Sequence, residues 1–288
     1  MKKKIKLIFM IILSLQSGNI IADTSTVADP NAESKAVKTG DTYVMIVGGV
    51  NKDPEQRQAA DKAVMVLRKM LFDDGGVAAD RLKVLVDIKS FARKNAQVSN
   101  IENLRNTIGE MAKVVKVNDR FIFYYVGQAN IVNSILRLNL PGKDMTHKEL
   151  VGELKKVKPA QMLIVLDCPG AGLAVKSLTV KNRVIVCAAR SDQPYSPRFS
   201  EYFLPALVNE AADTDLDEKV SLLEAFTLAS KNIHELYEKQ ELLKTETSLL
   251  EDDGDGIPSQ QPWQYKIDKN DGLIASKFFL IETSDRQE

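Results

Sequence analysis

Five short runs dominate this chain because each is apolar almost without a break: "TYVMIVGGV" (42–50), "LKVLVD" (82–87), "RFIFYYV" (120–126), "MLIVLD" (162–167) and "RVIVCAA" (183–189). A strand with one wet face alternates apolar and polar residues; a strand covered on both faces does not have to. Amphipathic stretches at 55–71, 101–115 and 147–157 separate these runs. Strands alternating with helices predict an α/β fold, a mostly parallel sheet flanked by helices on both faces in a three-layer sandwich. Local chemistry supports the boundaries. Thr146 and Glu149 make a capping box for the helix starting at His147, and Gly75-Gly76 ends the first helix. Two further helices are expected over 199–211 and 222–240, and a short hairpin in "NSILRLNL" (133–140), inside the 127–146 loop.

With 288 residues and 44% hydrophobic content, the chain can bury one sizeable core. Residues 1–22 read as a signal peptide: a lysine-rich start, an apolar centre from Leu7 to Leu15 too short to span a bilayer comfortably, and Ala22 for cleavage. This predicts export to a periplasmic or extracellular location, with no stable membrane span in the mature chain. Removing that leader takes away four lysines and no acid, so the remainder is net negative and a nucleic-acid partner is not expected. Residues 23–41 are polar and aperiodic, a flexible lead-in.

In their order, "YVMIVGGV", "RQAADKAVMVLRKML", "FIFYYVGQAN", "LIVLDCPGAG", "RVIVCAARSDQPYS", "FSEYFLPAL" and "KVSLLEAF" resemble the legumain-type and caspase-like cysteine peptidases, over about 42–256. The resemblance implies a domain over 42–244 with a C-terminal extension over 245–288. It also implies a Cys/His dyad on loops after two neighbouring strands, the histidine in a pattern like Tyr-x-x-His-Gly and the cysteine in one like Asp-x-Cys-x-Ser-Gly. Here the histidine position falls on Gln128, with Gly127 before it and Ala129 where the glycine would stand. Asp167 matches the acid, Pro169 the cysteine, Ala171 the serine and Gly172 the last glycine.

Neither substitute can do the chemistry. Glutamine does not titrate and proline has no nucleophile. Proline also lacks the amide that such enzymes aim at the oxyanion, a donor worth about 2.7–4 kcal/mol in the transition state. Cys168, one residue away, is the fallback nucleophile, and it would need a loop slipped by one position. Its other readings are a small buried residue, or a disulfide with Cys187, because the two close adjacent strands in the implied fold and the compartment permits it. His147, expected to be solvated in a helix's first turn, and His234 are the two histidines available as a base. Arg190, after the fifth strand, is expected to join Gly127, Ala129 and Asp167 in a binding groove, where a guanidinium could hold an acidic or carboxamide group.

A second constellation is "DTDLDEKVSLLE". Asp213, Asp215, Asp217, Lys219 through its carbonyl, Ser221 and Glu224 occupy the liganding positions of a calcium loop. Glu218 stands where the turn wants glycine. Ser221 and Glu224 also spell a capping box, the competing explanation. "EDDGDG" (251–256) starts in a similar way but meets Pro262 at the last liganding position, and reads as an acidic turn. Three functions follow as expectations. The first is an inactive pseudopeptidase that binds a peptide or protein partner; the others are a cysteine endopeptidase or transamidase-like hydrolase using Cys168, and a calcium-stabilised structural subunit.

Overall fold

The strands fall where the apolar runs are. A computed structural model describes residues 40–264 and 271–281; the expected signal peptide, and the lead-in up to residue 39, lie outside the described residues. Seven strands form one sheet: β1 (Thr42–Gly48), β2 (Leu82–Val86), β3 (Gln97–Val98), β4 (Arg120–Val126), β8 (Gln161–Asp167), β9 (Arg183–Cys187) and β10 (Leu249–Glu251), in the order β10-β9-β8-β4-β1-β2-β3. All neighbours are parallel except β10, which runs antiparallel to β9 with Leu250 opposite Val186. A smaller antiparallel sheet, β5 (Ala129–Val132), β6 (Ile135–Leu138) and β7 (Met145–Thr146), grows from the loop after β4.

Alternation along each strand divides the core. Ile46, Ile122, Tyr124, Val165 and Val186 face a layer built from α1 (Pro54–Lys69), α5 (Phe199–Ala206) and α6 (Leu222–Lys239). Their neighbours Met45, Phe123, Tyr125, Ile164, Leu166 and Cys187 face the other layer, with α2 (Ile101–Val114), α3 (His147–Leu154) and the short α4 (Val175–Leu178). This is the three-layer α/β sandwich, and wholly covered strands are why the five runs lack alternation.

Helix starts follow the cap chemistry. Asp53 accepts from the amides of Glu55 and Gln56 at α1, Asn100 caps α2, and both halves of the Thr146/Glu149 and Ser221/Glu224 capping boxes are formed. After α1 a π-helical turn (Met70–Asp74) leads to Gly75 and to Gly76, whose φ of 62° is the left-handed exit that glycine permits. α5 is shorter than expected: Pro205 lies in its last turn, and the chain leaves the α-helix after Ala206. The described residues belong to one compact unit, and β10, beyond the boundary drawn at 244, is an edge strand of the main sheet.

Candidate functional site

The carboxyl ends of β1, β4 and β8 lie side by side, and the loops that leave them enclose a cavity of about 340 Å³. Its wall includes Asn51 after β1; Glu55, Gln56 and Ala63 of α1; Gly127 after β4; Asp167 ending β8; and Ser196, Arg198, Ser200 and Glu201 around the start of α5. Crevices at the carboxyl ends of parallel strands collect sites because backbone and helix starts converge there while the strands fix their positions.

Two buried atoms lack partners in this wall. Asp167 is 4% exposed; its Oδ2 accepts from the Ser200 amide at 2.9 Å and from the Ser200 hydroxyl, which also meets the Tyr124 hydroxyl at 2.8 Å. Its Oδ1 has no donor. Asn51, also 4% exposed, has an Nδ2 with no acceptor. Leaving a buried polar atom unpaired costs about 1–3 kcal/mol, so each of these two atoms would gain from a partner. Burial, only partly offset by the Ser200 bonds, pushes the Asp167 carboxyl up to about 7.

The start of α5 has an unusual cap. Arg198, at the N-cap position, supplies no side-chain bond. Instead two buried acids reach in from other elements: Asp167 on the Ser200 amide, and Glu246, 1% exposed, on the Arg198 amide at 2.8 Å. Burial also pushes Glu246 up to about 7. The Arg198 guanidinium binds Glu201 at 2.8 and 3.1 Å. With that pair mutually neutralised, Glu55 gives the wall a negative balance, which Asp167 joins once it ionises above about pH 7.

The matched catalytic positions are close by but chemically occupied. Gln128 donates through Nε2 to Gln56 at 2.6 Å and to the Ser196 hydroxyl. Its carbonyl accepts from the Tyr125 hydroxyl at 2.6 Å and the Asn139 amide at 3.0 Å. Pro169 is buried. Cys168 and Cys187 are free thiols with no exposed surface. Burial pushes the Cys168 thiol well above its ordinary range, and the nearby Cys187 and Asp167 act in the same direction. No histidine contributes there. His147, expected to be solvated, is 3% exposed: its ring packs under the β5–β6 hairpin, Nδ1 accepting from the Leu136 amide at 3.2 Å, and burial lowers its pKa. His234 is exposed on α6.

Of the expected groove residues, Gly127 and Asp167 line the cavity, whereas Ala129 and Arg190 do not. Ala129 is 5% exposed at the start of β5, packed into the α2–α4 side of the core. Arg190 is committed to Asp192 through two hydrogen bonds of 2.9 Å, so its charge is already answered. Asn51, Ser196 and Ser200 complete the wall, and the only sequence signal for them is position just after a strand or before a helix.

In the 213–224 loop, oxygens of Asp213, Asp215 and Glu224 lie within 4.8 Å of one another. Glu224, however, already has donors on both oxygens: the Thr214 amide and hydroxyl on Oε1, the Ser221 amide and hydroxyl on Oε2. Asp217 accepts from the Lys219 amide, and Ser221 caps α6. Glu218 takes the strained left-handed turn position, with φ 67°.

No protein-family model and no curated protein matches the sequence. Among the described residues, no helix is long and apolar enough to cross a membrane.

Proposed function

We propose that this chain is a caspase/legumain-like domain that binds an extended peptide or protein segment without cutting it. The segment's side chain enters the cavity between Asn51 and Asp167. The observation that carries the reading is the pair of buried, unpartnered atoms in one wall, Asn51 Nδ2 and Asp167 Oδ1. The adjacency of β4 and β8, whose carboxyl ends lead into Gln128 and Pro169, supports the fold-family part. The bonded Gln128 amide and the buried Pro169 support the non-hydrolytic part. The proposal keeps the expected export through residues 1–22, and with it a partner outside the cytoplasm.

The wall's chemistry favours a cationic side chain. An ammonium or guanidinium would donate to Asp167 Oδ1, and Glu55 adds negative potential. A lysine or arginine peptide should therefore bind at least about tenfold more tightly than its norleucine counterpart, one charge-assisted hydrogen bond being worth about 1.5–3 kcal/mol. The test is fluorescence polarisation with seven-residue alanine peptides carrying lysine, arginine, norleucine or glutamate at the centre, with mass spectrometry of each mixture. The expected result is preference for lysine or arginine, intact peptides, and loss of the preference in Asp167→Asn. Equal affinities for all four overturn the binding assignment. Cleavage that Cys168→Ala abolishes would install the hydrolase in its place.

A further inference from the structure

The loop after β10 carries a second concentration of acids, built differently from the one at 213–224. Glu251, the last residue of β10, is 0% exposed. Its Oε1 accepts from the amides of Gly254 at 2.9 Å and Gly256 at 3.2 Å, while Oε2 has no donor at all. Asp271, 4% exposed, lies far along the chain but reaches back, accepting from the Asp252 amide at 2.9 Å and the Ser259 amide at 2.7 Å. Asp253 is exposed beside them. One oxygen from each of Glu251, Asp253 and Asp271 lies within 4.8 Å of the other two. No ion pair among the described residues includes any of the three.

We propose that Glu251, Asp253 and Asp271 hold a calcium ion, which clips the chain around Asp271 onto the edge strand β10. Three convergent carboxylates, one of them wholly buried with an oxygen that makes no hydrogen bond, concentrate negative charge, and the buried Arg183 guanidinium offsets Glu251 from a distance without forming an ion pair with it. Calcium suits the spacing: two oxygens in one coordination sphere can be up to twice the ~2.3–2.6 Å bond length apart, and the three carboxylates are within that span. Magnesium, with bonds of ~2.0–2.1 Å and a stricter octahedron, would require the loop to close further. The 213–224 loop is not given this role because each Glu224 oxygen already has at least two donors, whereas among the described residues each Asp271 oxygen has one and Glu251 Oε2 has none.

The test uses the full-length chain stripped with EGTA and titrated calorimetrically with calcium chloride, beside thermal unfolding and amide exchange. Saturable binding at ~10⁻³ M or tighter is expected, with a raised unfolding midpoint and slower exchange at 251–260. Asp253→Asn, a change at an exposed position, should weaken binding about tenfold or more. Glu251→Gln should do the same, and Asp215→Asn, in the other acidic loop, should leave it unchanged. No heat and no shift at ~10 mM calcium overturns the site. So does wild-type affinity in Asp253→Asn, or binding lost only in Asp215→Asn.

Discussion

Replacing Asp167 by asparagine should flatten the dependence of stability on pH. In the folded chain its carboxyl is raised from 3.8 to about 7, and the dominant cause is burial. Between those values the native state holds a proton that the unfolded chain has released, so stability falls as pH rises. The contribution is present in full below the unfolded pKa and is gone once pH has passed through about 7. Integrating the linkage from pH 5 to pH 8 gives a loss of about 2–3 kcal/mol from this residue alone. Glu246 has the same sign and steepens the wild-type profile, and its charge also raises the Asp167 carboxyl, so the variant reports the Asp167 share together with that coupling. Asparagine keeps an acceptor for the Ser200 amide and has no charge to desolvate. Urea unfolding at pH 5, 6, 7 and 8 is the assay. The wild type's advantage over Asp167→Asn should shrink by about 2 kcal/mol across that range. Profiles parallel to within about 0.5 kcal/mol would refute the reasoning. Binding should run the other way: a cationic side chain prefers the ionised acid, so peptide affinity should rise as pH passes through 7.

Both cysteines, wholly buried and free, should resist iodoacetamide in the native chain at pH 8 and take two adducts in denaturant, with no mass change on reduction. A fast single adduct at Cys168 would contradict its placement. Truncating Glu224 to alanine removes the acceptor for the Thr214 and Ser221 groups at once and should cost about 2 kcal/mol in urea unfolding. A cost under about 0.5 kcal/mol would mean the loop is held by other contacts.

The central strands were legible because nothing but burial on both faces explains runs such as "RFIFYYV", and the caps because their chemistry is local. What failed to show in the sequence depends on partners far away. β10 is three residues, Leu249–Glu251, whose pairing with Cys187 to Ile185 has no local signature. The hairpin expected in 133–140 is only half of the real one: Asn133 and Ser134, both left-handed, form its turn, and the first strand is Ala129–Val132. That strand exposes Asn130, Ile131 and Val132, so it reads as loop. A helix's first turn usually lies in solvent, yet His147 is buried under a hairpin that the local sequence does not announce. Asn51 could be located at a strand's end, but the missing acceptor for its amide depends on everything packed around it.

The two adjacent residues that posed the functional question, Asp167 and Cys168, are separated by strand geometry more decisively than by chemistry. Asp167 faces the α1–α5 layer and the cavity, while Cys168 shares the apolar layer of Ile164, Leu166 and Cys187. Bringing Cys168 to the cavity by a one-residue slip of β8 would carry Asp167 into that layer. There its carboxylate would lose Ser200 and gain no donor, at a cost of several kcal/mol. The slip would also break Gly127 N–H to Asp167 O, Gly170 N–H to Gln193 O and Gly172 N–H to Ala189 O, which fix the loop's register at 3.1, 2.9 and 2.9 Å. Hydrolysis through Cys168 therefore requires dismantling the cavity that would hold the substrate, whereas binding requires only that the register stay where it is.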